Sequence, residues 1–120
     1  MSDAAGLEWT PGQAKTAVDA GEAVLLDVRT AEELGLAAID GAVHVPMDQV
    51  PGRLQEIEAL ADTGKTIVTL CHHGMRSLNT AVWLRGQGVE VDGRGEGGVV
   101  SMAGGIDRWS LEIDGAVPRY

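Results

Sequence analysis

Thr66-Ile67-Val68-Thr69-Leu70-Cys71-His72-His73-Gly74-Met75-Arg76-Ser77 is the stretch on which the fold turns. Its first five residues are β-branched or apolar, the composition of a short buried strand. The rest runs through Gly74 into a helix carried by Leu78, Ala81, Val82 and Leu84, ending near Gly86 or Gly88. A strand that turns at once into a helix is the unit of a parallel α/β sheet.

The same alternation extends in both directions. Upstream, Ala23-Val24-Leu25-Leu26-Asp27-Val28 is an apolar run ending in a carboxylate, as expected of a strand buried on both faces. Thr30-Ala31-Glu32-Glu33 opens a short helix with acidic residues in its first turn. Ala42-Val43-His44-Val45 is a short strand stopped by Pro46, and Leu54, Ile57, Glu58 and Ala61 give helical spacing from about Pro51 to Asp62. Near the start, Leu7-Glu8-Trp9 reads as a strand. Thr10, Pro11 and Gln13 then form a capping box with proline at the first helical position, and Gly21 ends that helix. Downstream, Val89-Glu90-Val91 reads as a weak strand, 92–98 as a glycine-rich loop and Val99-Val100-Ser101-Met102 as the last strand. Gly104-Gly105 opens a final helix with Ile106, Trp109 and Leu111. The expected fold is α/β, a central mainly parallel five-stranded sheet with helices on both faces, in one domain over residues 1–120.

Composition narrows the function. Nine basic and eighteen acidic residues give a net charge of -9 over 120 residues. Neither nucleic acid nor an anionic membrane is expected as a partner, since both require a positive footprint. One cysteine excludes an internal disulfide and a Cys-only zinc site. No secretory leader or membrane-spanning run is read at the start or elsewhere, so the expected location is the cytoplasm.

Cys71 is the residue most suited to chemistry. It lies where a strand gives way to a helix, and such a turn aims several backbone N–H groups at an anion; a thiolate is one. Arg76 adds a planar fork of donors for an oxyanion, and its position at an already positive helix start favours function over solvation. Ser77 is expected to cap the helix rather than to bond the sulfur. No metal is expected on His72 and His73, because adjacent residues rarely point at one ion. His44 reads as a strand-end residue. Asp27 and Arg29 are expected as structural support at the end of their strand, and Trp9, Trp83 and Trp109 as core. Gly93 to Gly98 matches the dinucleotide spacing literally, but a strand follows instead of a helix, so it reads as a surface loop.

Taken together these residues resemble a family. The loop Cys71-His72-His73-Gly74-Met75-Arg76-Ser77 is similar to the active-site loop of single-domain rhodaneses. Leu25-Leu26-Asp27-Val28-Arg29 with Glu33 resembles the family's first signature, and Ile39 to Pro46 its second. Gly104-Gly105-Ile106 with Trp109 and Pro118 resembles the closing segment. The resemblance implies a thiosulfate sulfurtransferase without cofactor or metal. Cys71 would take a sulfane sulfur as a persulfide and pass it to cyanide or a thiol. The positions from Cys71 to Arg76, with Ser77 beside them, would wrap the persulfide. It implies a loop one residue too short for the related phosphatases and arsenate reductases. The implied partners are a small-molecule sulfur donor and acceptor. The alternative is a sulfur-carrier module loaded by and delivering to a sulfur-relay protein, with His72, His73 and Met75 serving partner contact. Ala37-Ala38 stand where the family usually has Gly-His, and the glycine-rich stretch looks longer than usual.

Overall fold

The computed structural model describes residues 6–89 and 98–120. Five strands form one all-parallel sheet: β1 (Glu8–Trp9), β2 (Ala23–Asp27), β3 (Val43–His44), β4 (Thr66–Leu70) and β5 (Val99–Met102), in the order β1-β5-β4-β2-β3. Among the described residues five α-helices accompany them: α1 (Pro11–Asp19), α2 (Ala31–Leu36), α3 (Leu54–Ala61), α4 (Met75–Gly86) and α5 (Gly105–Glu112).

The period of two along each strand divides the core. Leu26, Ile67 and Val99 face one side with Ile57 of α3 and Ala81 and Leu84 of α4. Leu25, Val68, Leu70 and Val100 face the other with Ala14 of α1 and Ile106 and Trp109 of α5. Every residue of β4 is buried, as its unbroken apolar run requires. The chain leaves β2 toward β3 on one side and returns to β4 on the other. The carboxyl ends of these two neighbouring strands therefore border the crevice where open α/β sheets bind their ligands.

Local chemistry sets the helix boundaries. The capping box at Thr10 and Gln13 is formed in both directions, and Thr30 with Glu33 forms a second one at α2. The helix expected from Pro51 instead begins as a 3₁₀ turn over Pro51–Arg53, and α3 starts at Leu54. No side chain caps that start, so the first turn tightens to satisfy its own amides. Val89 lies outside any strand, while Glu90, Val91 and the glycine-rich loop through Gly97 lie outside the described residues. Trp109 is core and Trp9 packs against it, but Trp83 is 37% exposed. It lines a surface cavity of about 270 Å³ with Met47, Val50, Pro51, Asn79 and Thr80. Its position on α4 points away from the sheet-facing row of Ser77, Ala81 and Leu84. Among the described residues no helix is long and apolar enough to cross a membrane.

Candidate active site

The loop after β4 is built to present amides to a sulfur. Gly74 adopts φ 106, a left-handed conformation that turns the chain from strand into α4. Its N–H donates to Cys71 Sγ at 3.1 Å, and the Ser77 N–H donates to the same atom at 3.4 Å. Between them, the Met75 and Arg76 amides open α4 and have no preceding turn to donate to. Cys71 itself is only 1% exposed.

The loop's carbonyls are held on the opposite side. Ile106 N–H donates to Cys71 O at 2.9 Å and Asp107 N–H to His72 O at 3.2 Å. The first amides of α5 thus orient the peptide planes, carbonyls toward α5 and N–H groups toward the sulfur. The approach is close enough to require Gly105. A Cβ there would lie 2.5 Å from Cys71 O and closer still to His72 O.

Ser77 does not cap α4. The N-cap is Gly74, which has no side chain to cap the helix. Ser77 lies inside the first turn, fully buried against β5. Its hydroxyl donates to Gly74 O at 3.2 Å and pairs with Ser101 Oγ at 2.8 Å. It is the Ser77 amide, not the hydroxyl, that reaches the sulfur.

Arg76, half-exposed, forms a forked pair with Glu33 of α2, at 2.6 and 2.8 Å. These hydrogen bonds hold the Glu33 carboxyl far below the ordinary carboxylate range, against the opposing effect of burial, with help from the Tyr120 hydroxyl. The Arg76 guanidinium is raised in turn, chiefly by Glu33. Glu33 therefore serves the α2 capping box and the Cys71 loop at once. Sequence spacing singles it out for the first role; the second links residues 43 positions apart and leaves no local pattern.

Asp27 and Arg29 form a fully buried ion pair at 2.6 Å. Asp27 also accepts the Arg29 backbone N–H at 3.0 Å, which turns the chain at the end of β2. The guanidinium continues to Glu33 O, Ala37 O and the Tyr120 hydroxyl at 3.2, 2.7 and 3.1 Å. Burial opposes its charge, and the bonds to Asp27 and Tyr120 outweigh that, raising its pKa. His44, at the end of β3, bonds Arg29 O through Nε2 at 2.7 Å. These groups hold the β2 exit against α2, and neither Asp27 nor Arg29 has exposed surface.

His72 and His73 stack on each other with centroids 3.8 Å apart, and Asp107 brings a third potential metal ligand within 4.8 Å of theirs. The two rings are 29° from parallel. Asp107 is moreover engaged by Arg119 at 2.8 Å. Met75 stands at the rim, 69% exposed.

A family model described as rhodanese-like domain matches residues 10–112. The chain belongs to the rhodanese-like domain family. It is 35% identical over 112 residues to thiosulfate sulfurtransferase GlpE of Haemophilus influenzae, covering 91% of this chain and 95% of that one. It is 32% identical to Rhodanese-like/PpiC domain-containing protein 12, chloroplastic, of Arabidopsis thaliana, over 82% of this chain but only 31% of that protein's length. The fold is similar to that of the human single-domain sulfurtransferase TSTD1, with a TM-score of 0.71 at 23% identity, covering 88% of this chain and 96% of the other. The all-parallel sheet and its surrounding helices are therefore the rhodanese-like arrangement.

Proposed function

We propose that this rhodanese-like chain is a sulfurtransferase that works through a Cys71 persulfide. The observation that carries the reading is the Cys71 cradle. Amides of Gly74 and Ser77 point at Sγ, while the loop's carbonyls are tied outward to α5. That arrangement stabilises negative charge on sulfur, first as thiolate and then on the outer sulfur of a persulfide. The resemblance to a thiosulfate sulfurtransferase over nearly the whole of both chains supports it.

The step with thiosulfate balances simply. The Cys71 thiolate attacks the sulfane sulfur, the S–S bond of thiosulfate breaks, and sulfite leaves with the electron pair. An acceptor such as cyanide then attacks the outer sulfur, and thiocyanate leaves as the Cys71 thiolate is restored. Intact-protein mass spectrometry after thiosulfate should show one added sulfur, removed by cyanide. No added sulfur, or one that persists in Cys71→Ser, overturns the proposal.

One observation favours a second reading, a carrier loaded by a protein-borne persulfide. Arg76, the charge expected to attract a dianion, is already paired with Glu33, and the chain's net charge of -9 repels anions. Slow loading by thiosulfate beside fast loading by a desulfurase-type persulfide donor would establish the carrier role.

A further inference from the structure

Tyr120 sits against the Cys71 loop, far from it in sequence. Its ring lies flat on His72, with centroids 3.9 Å apart and planes 12° from parallel, and His73 covers the other face of His72. Its hydroxyl donates to Glu33 Oε2 at 2.7 Å and accepts from Arg29 Nη1 at 3.1 Å. Glu33 in turn grips Arg76. Tyr120 therefore touches the residue after Cys71 directly and the last charged residue of the loop through one carboxylate. The segment leading to it is anchored: Val117 is buried in the core, and Arg119 pairs with Asp107 in the first turn of α5. That same turn holds the loop's carbonyls.

We propose that Tyr120 is a positioning residue of the sulfur site, fixing the Cys71 loop from two sides: its ring locks His72 and its hydroxyl steadies the Glu33 carboxylate that holds Arg76. The inference rests on the sulfur-transfer reading of the loop. Tyr120 packs at the edge of the core cluster, but packing alone would leave its polar end unused. Its ring also lies on an imidazole of the loop and its hydroxyl joins the ion-pair network. Burial raises its pKa, the bond from Arg29 lowers it and the bond to Glu33 raises it, leaving it above the ordinary phenol value. His72 Nε2 is buried and has no hydrogen-bond partner among the described residues, so the stack and not a hydrogen bond at that atom holds the imidazole in place.

The test uses the full chain and its single tyrosine. Tyrosinate absorbance is followed against pH with Cys71 free and with Cys71 capped by iodoacetamide. Arg29, Glu33 and His72 face the phenol, and the charge of Arg76 acts on both the phenol and Cys71. Capping removes the thiolate charge beside Arg76, so the tyrosine midpoint should fall. Sulfur-transfer kinetics are measured in parallel. Tyr120→Phe keeps the stack and should raise the donor KM about threefold with little change in kcat. Tyr120→Ala loses both contacts and should lower kcat/KM by about tenfold. An unmoved tyrosine midpoint on capping, or a folded Tyr120→Ala with kcat/KM intact, overturns the proposal. If Tyr120→Ala does not fold, the titration and Tyr120→Phe still decide. The capping experiment needs no sulfur donor. A shifted midpoint in a chain that forms no persulfide would therefore refute the function while leaving Tyr120 coupled to the loop.

Discussion

Replacing Glu33 with Gln changes the charge of the site while preserving its shape. Gln keeps the third-position side chain that the α2 capping box needs, and it can still accept from the Tyr120 hydroxyl. What disappears is one negative charge next to Arg76, which sits 2.6 Å away in the native pair. At roughly 10 Å and an effective dielectric of about 40, one unit charge interacts with a dianion by about 1.7 kcal/mol. The Arg76 side chain is 36% exposed, so screening by water and salt is substantial. Halving the interaction leaves about 0.8 kcal/mol, or about a fourfold change in binding. The expected outcome is a thiosulfate KM about fourfold lower in Glu33→Gln at low ionic strength, with the advantage fading in high salt. Steady-state thiocyanate formation across a salt series measures it. An unchanged or higher KM at low salt would refute the reasoning. It would mean that the dianion does not feel this charge, or that the Gln amide oxygen fails to keep Arg76 in the place Glu33 gives it.

Two further outcomes follow from the same geometry. Gly105→Ala forces a Cβ against the Cys71 and His72 carbonyls at a φ of +63, costing about 3 kcal/mol and lowering Tm on the order of 10 °C with loss of persulfide formation; Gly35→Ala, in open space within α2, should instead leave Tm unchanged or raise it slightly. Acid should reveal the Glu33–Arg76 pair. Glu33 is depressed in the folded chain, so its stabilisation is complete above the unfolded value of about 4.5 and is lost as pH falls below it. Thermal melts from about pH 6 to about pH 3 should therefore drop less steeply in Glu33→Gln than in the native chain.

What the sequence made legible was local. The β4 run, the turn at Gly74 and the start of α4 are contiguous, and their periodicities change over a few residues. The Thr10 capping box is written in four consecutive residues. Asp27 and Arg29 are two apart, so a carboxylate turning back on its own strand end was a natural reading. The failures share one cause, a partner distant in the chain. Arg76 looked like a free cation because Glu33 lies on another helix. Ser77 looked like a cap because Ser101, which occupies its hydroxyl, belongs to β5. Tyr120 carries no local signal: one tyrosine after a proline and an arginine gives no hint of a ring stacked on His72. The second capping box, Thr30 to Glu33, could have been read, but not the reach of its glutamate.

The burial of Cys71 has a consequence for how the chain meets oxidants. A disulfide requires two Cβ atoms within about 4.5 Å of each other. With Cys71 1% exposed below its loop, a second folded copy cannot bring its own Cys71 that near, because two loops would have to occupy the same space. Self-linking through the lone thiol is thus sterically closed. In the proposed persulfide the outer sulfur would lie about 2 Å farther out, and that atom, not Sγ, would be the one offered to an incoming nucleophile. Depth in the loop would then separate the sulfur that is kept from the sulfur that is traded.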